Sequence, residues 1–309
     1  MMIFCRRIIV SDPALLKMKG PLLLACNHPN SFLDGVILDI LFKEPIWALA
    51  RGDVFTKPVY IKFFKAVKLL PVYRSSEGPQ HVHNNYRTFD ACKEIFQKNG
   101  VVQIFSEGKC INEWHLRPLK KGTARLAISS WENNIPLVVL PVGINYSSYR
   151  RFGKTIFINF GHIIRKEDIL INNSDGKRYQ EFNERLETEF KKIVFEIDKA
   201  DTAKQQKMLE QKPAGLLQVI LAIPAMLGFL IHAPLYLPVK DFVWKRCNHN
   251  DHFDSVMAAI LLFAYPLYLL LMTSFLFFIF KTPHVFFTLL LFPFTAWSYM
   301  QVKGQLDKN

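Results

Sequence analysis

The sequence predicts an α/β domain built on a mostly parallel central sheet flanked by helices, joined to a C-terminal helical membrane region. Three observations predict it. Up to about Lys212, short apolar runs alternate with charged segments of helical character, the pattern of strands joined by helical crossovers. Beyond that point charge nearly vanishes for long stretches, which sets the expected boundary between a folded domain over 1–212 and a membrane region over 213–309. The length of 309 residues suits one large domain with an appendage.

In chain order, the N-terminal MMIFCRRIIV has an apolar run too short for an export signal and is interrupted by Arg6 and Arg7, so no signal peptide is expected. Strands are expected at Leu22 to Cys26, Ile46 to Ala50, Leu69 to Val72, Val101 to Phe105, Leu137 to Val142 and Thr155 to Phe160, with helices between most of them. From about Arg178 to Lys207 one helix is expected, because Phe182, Leu186, Phe190, Val194 and Ile197 recur at spacings of four and three. Ala214 to Leu237 and Ser255 to Phe280 contain no Lys, Arg, Asp or Glu. At ~1.5 Å per helical residue each can cross a hydrocarbon core of ~30 Å. Val285 to Met300 is shorter and contains Pro293; it could span, lie in the interface or re-enter. The basic loop holding Lys240, Lys245 and Arg246 and the equally basic region before the first span leave orientation open.

Composition narrows the partners. The formal net charge of +13 favours an anionic partner: nucleic acid, a phosphorylated substrate or a membrane surface. With 27 Phe and half the residues hydrophobic, lipid fits better than nucleic acid, which is not expected as a partner. Five scattered cysteines without a Cys-x-x-Cys pair suit a reducing, cytosol-facing domain in an integral or tightly associated membrane protein. Cys247, His249, His252 and Asp254 cluster between the long apolar segments, yet they lack a recognised ligand spacing, so no metal is expected.

Four blocks carry chemistry. Asn27-His28-Pro29-Asn30-Ser31-Phe32-Leu33-Asp34 lies where an apolar strand ends and a helical pattern starts, the end of a strand at which ligands bind in such sheets. There His28 can take a proton near neutral pH, and Asp34 can orient its ring; equally, Asp34 can simply favour a helix N-terminus. Leu70-Pro71-Val72-Tyr73-Arg74 ends a second strand on a guanidinium, and Phe105-Ser106-Glu107-Gly108-Lys109 ends a third on a carboxylate, a glycine and a lysine. Ile135 to Val142 is an apolar strand with Pro136 and Pro141, suited to a central strand or to the wall of an acyl channel.

In order and spacing these blocks resemble the glycerol-phosphate and lysophosphatidic-acid acyltransferase family over roughly Gly20 to Asn145. Ala50-Arg51-Gly52-Asp53-Val54-Phe55 and Leu119-Lys120-Lys121-Gly122-Thr123-Ala124 look like its intervening segments. The resemblance implies an acyltransferase catalytic domain of glycerol-phosphate acyltransferase-like fold. It implies His28 as general base, Asp34 as its partner, and Arg74, Glu107 and Gly108 at the glycerol-phosphate site of the acceptor. Two departures stand out. Five residues separate His28 from Asp34 where the family usually has four, and Lys109-Cys110 replaces the usual Thr-Arg, leaving Lys109 as a point charge without a bidentate fork. Arg51 and Lys120 are further phosphate candidates. Phe55 to Leu70 interleaves Lys57, Lys62, Lys65 and Lys68 with apolar residues, as in an amphipathic helix at an anionic interface or one packed on the sheet.

The expected reaction is direct acyl transfer to the hydroxyl of 1-acylglycerol 3-phosphate, making phosphatidic acid in phospholipid synthesis, with no resident cofactor. The donor would be acyl-CoA, an acyl carrier protein thioester or an acyl phosphate. Alternatives are glycerol 3-phosphate or another lipid hydroxyl as acceptor, and a catalytically silent scaffold that binds anionic lipid, which the longer His28 to Asp34 spacing favours. A serine hydrolase using Ser31 or Ser106 is disfavoured because neither serine lies in a Gly-x-Ser-x-Gly elbow.

Overall fold

The computed structural model describes residues 4–73, 79–169, 174–211 and 215–306, with the backbone alone for 79–83. Seven strands, β1 (Cys5–Val10), β2 (Leu22–Cys26), β3 (Ile46–Arg51), β4 (Leu69–Val72), β5 (Val101–Phe105), β6 (Val138–Tyr146) and β7 (Lys154–Phe160), form one sheet in the order β1-β7-β6-β2-β5-β3-β4. The pairs β2/β5, β2/β6, β3/β4 and β3/β5 are parallel. All five residues of β2 are buried, as an apolar run in the middle of a parallel sheet requires when both faces are covered.

The connections are helical: α1 (Phe32–Leu41), α2 (Pro58–Ala66), α3 (Pro79–Gln97) and α4 (Lys121–Glu132) lie between successive strands, and α5 (Asp175–Ile193) and α6 (Thr202–Leu209) follow β7. The main core joins Leu23, Ala25, Val102 and Ile104 of the sheet to Cys92 and Phe96 of α3, Ala124 and Trp131 of α4, and Phe182, Leu186 and Phe190 of α5. Each of these larger side chains contributes roughly 1.5–3 kcal/mol by leaving water.

Two segments differ from the sequence expectation. Residues 5–10 form an edge strand whose inward and outward positions alternate, a pattern masked by Arg6, Arg7 and the exposed Ile9. The helix expected over 178–207 ends at Ile193, where the side-chain amides of Asn145 and Asn159 both donate to the Ile193 carbonyl at 3.0 Å. Asn145 also accepts from the Phe195 N–H at 2.8 Å, so two strands take over the helix end and turn the chain extended. Val194 and Ile197 are buried as expected, but from extended backbone. A new helix starts at Thr202, capped by the Asp201 carboxylate, which accepts from Lys204 N–H.

By contacts the chain divides into two units, one of 10–145 and 158–198, the other of 1–9, 146–157 and 199–309. The second holds α7 (Gly215–Cys247), α8 (Phe253–Phe280) and α9 (Thr288–Val302). Three helices, Gly215–Cys247, Phe253–Phe280 and Pro283–Val302, are long and apolar enough to cross a membrane. The third stretch, whose form the sequence left open, is thus helical, with a 3-10 turn at Pro283–Phe287 leading into α9.

Candidate active site

The site is built at the C-terminal end of β2, in the contact unit of 10–145 and 158–198. Beyond Cys26 the chain must turn into α1, and Asn27 fixes the exit by exchanging two hydrogen bonds with Ile144 of β6, at 3.0 and 2.7 Å. Asp34 follows in the first turn of α1, fully buried, where the N-terminal helix dipole favours a carboxylate. Its Oδ2 lies 2.8 Å from His28 Nδ1 and also accepts from the Asn30 N–H at 2.8 Å. An ionised carboxylate only accepts, so this geometry assigns the proton to Nδ1 and leaves the lone pair on Nε2. The His28 side chain keeps 16% exposure, and its ring stacks on Phe105 with centroids 3.7 Å apart.

Between His28 and Asp34 the backbone turns at Ser31, which adopts φ 54 and ψ −140. For a residue with a side chain such a conformation costs about 1–3 kcal/mol and persists only when neighbours impose it. The neighbours come from the segment after β5. Glu107 Oε2 accepts from the His28 N–H at 2.8 Å, Cys110 Sγ from the Ser31 N–H at 2.9 Å, and the Asn112 amide donates to the Pro29 carbonyl at 2.7 Å. Ile111 N–H donates to the His28 carbonyl at 3.2 Å. Residues 107–112 therefore splint the loop between His28 and Asp34.

Glu107 uses both oxygens on main chain, since Oε1 accepts from the Arg117 N–H at 2.9 Å. Burial pushes its carboxyl above the usual range, opposed by the two N–H donors from Arg117 and His28 and by the nearby imidazole. Gly108 turns the chain with φ 68, and a Cβ there would come within 3.1 Å of the Lys120 side chain, so glycine suits both the turn and the close approach. Lys109 is exposed at this corner, and Lys120 is exposed just before α4.

The remaining sequence candidates have other partners or lie outside the described residues. Arg51, at the end of β3, is exposed and ion-paired with Asp53. Arg74 falls outside the described residues. The chain leading to it is fixed at Tyr73, whose N–H and carbonyl both bond the Asn85 side chain, at 2.8 and 2.7 Å. Ser106 is buried and accepts from the Thr123 hydroxyl at 3.0 Å. Cys247 ends α7, and Asp254 is ion-paired with Lys154.

Sequence reading missed the parts played by Phe105, Cys110 and Asn112. Phe105 and Cys110 stood in or beside a recognised block. What gives them a role is proximity to His28 and Ser31 across a parallel strand pair, which linear spacing does not carry.

Comparison with known proteins adds an independent result. Residues 7–145 match the sequence model of the family described as Acyltransferase, a span that contains the whole of the site above. No curated protein matches the chain. Among solved structures it is similar to the 1-acyl-sn-glycerophosphate (LPA) acyltransferase PlsC from Thermotoga maritima, at 11% sequence identity and a TM-score of 0.41, covering 62% of this chain and 72% of that one. Over residues 7–145, which include the His28 and Asp34 pair, this chain is thus similar to the acyltransferase family.

Proposed function

We propose that the protein transfers a fatty acyl group from an activated donor to the free hydroxyl of 1-acylglycerol 3-phosphate, forming phosphatidic acid. The observation that carries this reading is the 2.8 Å contact between His28 Nδ1 and the buried Asp34 carboxylate, which leaves Nε2 able to take a proton. As the acceptor oxygen attacks the donor carbonyl, its proton moves to Nε2, the new ester C–O bond forms, and the donor's leaving group departs carrying the bond electrons. The imidazolium returns that proton to the leaving group, and Asp34 stabilises the charged ring meanwhile.

Glu107 supports the step as a positioning residue, holding the His28 main chain. Lys109 and Lys120, together with Arg74 and Arg51, are the proposed cations for the acceptor phosphate; a guanidinium can bind phosphate through two N–H bonds. The silent-scaffold alternative drew on the longer spacing, and the 2.8 Å contact removes that support.

The test is a transfer assay on reconstituted protein, crossing acyl-CoA, acyl carrier protein and acyl phosphate donors with 1-acylglycerol 3-phosphate, glycerol 3-phosphate and an unphosphorylated lipid alcohol. Transfer to the lysophospholipid should exceed the others, and His28→Ala should lower it by roughly 10²–10⁴-fold. A His28→Ala protein with near wild-type turnover would overturn the assignment of the base. Preference for an unphosphorylated acceptor would overturn the substrate.

A further inference from the structure

The two faces of the sheet are covered unequally. The crossovers through α1 and α2 advance in one direction along the strand order, whereas those through α3 and α4 return in the other. Right-handed connections therefore place α1 and α2 on one face and α3 and α4 on the opposite one. The register agrees. Leu23 and Val102 are paired, as are Ala25 and Ile104, and all four point into the core with α3 and α4. Gln103, on the alternate face, lies 3.9 Å from where a side chain on Gly35 of α1 would begin. Phe105 shares the side of Gln103 and stacks with His28, so the base belongs to the face of α1 and α2.

That face carries exposed apolar side chains. On α1, Phe32, Val36 and Ile40 recur every fourth residue as an outward stripe. No residue of α2 is buried: Phe64 turns toward Phe55, with ring centroids 4.8 Å apart, while Val59 is 72% exposed, Phe63 60% and Val67 50%. At 100° per residue Val59 and Phe63 fall on one arc of α2, and Val67 follows at its C-cap. From Val54 to Tyr73 the chain has four lysines, Lys57, Lys62, Lys65 and Lys68, and no carboxylate. On α1, the Asp39 carboxylate accepts from the Ile46 N–H at 3.2 Å. An apolar arc flanked by charge of one sign matches an anionic lipid surface: the apolar groups enter the boundary between headgroups and acyl chains, and the ammonium groups stay among the headgroups.

We propose that the α1 and α2 face is a membrane-contact surface, with Phe32, Val36, Ile40, Val59, Phe63 and Val67 seated in an anionic leaflet on the same side of the sheet as His28. This is a statement about binding and stands whether or not the acyl-transfer reading holds.

The native cysteines are buried, so an introduced cysteine can be labelled selectively. An environment-sensitive fluorophore is placed on Phe63→Cys, on Val59→Cys as a second site, and on Glu184→Cys of α5 as a control. Each full-length protein is reconstituted in vesicles of phosphatidylcholine, with or without phosphatidylglycerol. Labels at 63 and 59 should be quenched by nitroxide-bearing lipid and shielded from aqueous iodide, with a several-fold rise in lipid quenching when phosphatidylglycerol is present. The label at 184 should show the reverse. Replacing Lys57, Lys62, Lys65 and Lys68 with Gln should abolish the phosphatidylglycerol dependence. Iodide access without lipid quenching at 63 and 59 would overturn the proposal. So would shielding from both quenchers, which would identify a protein cover such as a second copy of the chain.

Discussion

Asp34 and Asp254 invite comparison because each is a fully buried carboxylate in the first turn of a helix and each meets a basic group. Their partners differ. Asp34 meets an imidazole that keeps 16% exposure and has a second nitrogen for chemistry. Asp254 meets the Lys154 ammonium, which is wholly buried and lies near the Phe4 and Tyr146 rings, at 5.1 and 5.9 Å from their centres. A buried carboxylate therefore does not mark an active site by itself. What separates the two is whether the partner can change protonation and touch a second molecule: the imidazole can, whereas the enclosed ammonium joins β7 to the start of α8.

Substitutions should separate these roles. The largest effect is expected for Asp34→Asn, which removes the charge that fixes the His28 tautomer. Turnover should fall by roughly 10²–10⁴-fold, with a smaller shift in unfolding midpoint than disruption of the Lys154 pair produces. Near-normal turnover in this variant would erase the distinction between the two carboxylates. Lys154→Met should show the opposite profile. Stranding the buried Asp254 charge should cost about 3–5 kcal/mol in detergent unfolding, while turnover per folded molecule is retained, and a Lys154→Met/Asp254→Leu pair should recover most of the loss. Failure of the double variant to recover would show that the pair does more than join the elements. The smallest effect is expected for Cys110→Ala, which takes the sulfur acceptor from the Ser31 N–H. A net hydrogen bond is worth about 0.5–1.5 kcal/mol, so kcat should drop by no more than about tenfold with KM for the donor unchanged. An unchanged kcat would mean that Ser31 holds its conformation without the thiol.

Much of the sheet was legible because β2, β5 and β6, buried along nearly their whole length, are mainly apolar runs, and the shorter runs of β3, β4 and β7 are likewise bounded by polar segments. β1 was not, since Arg6 and Arg7 break its apolar run. The end of α5 was not legible either. Its apolar stripe continues through Val194 and Ile197, and only Asn145 and Asn159, tens of residues upstream, stop the helix. Phe55 to Leu70 was legible as amphipathic, but periodicity could not say whether its apolar arc was packed or bare.

For the site, the sequence offers His28 and Asp34 as a candidate pair, its resemblance to the acyltransferase family suggests an acyl-transfer chemistry, and its apolar C-terminal stretches stand out by length. Their meeting depended on tertiary structure. Whether five intervening residues let an imidazole reach a carboxylate turns on one unusual backbone conformation at Ser31, and that conformation is held by Glu107, Cys110 and Asn112 from another strand's exit. Local sequence sets which groups are available and how the backbone prefers to turn; only contacts across the sheet supply the energy that selects a costly turn over the ordinary ones.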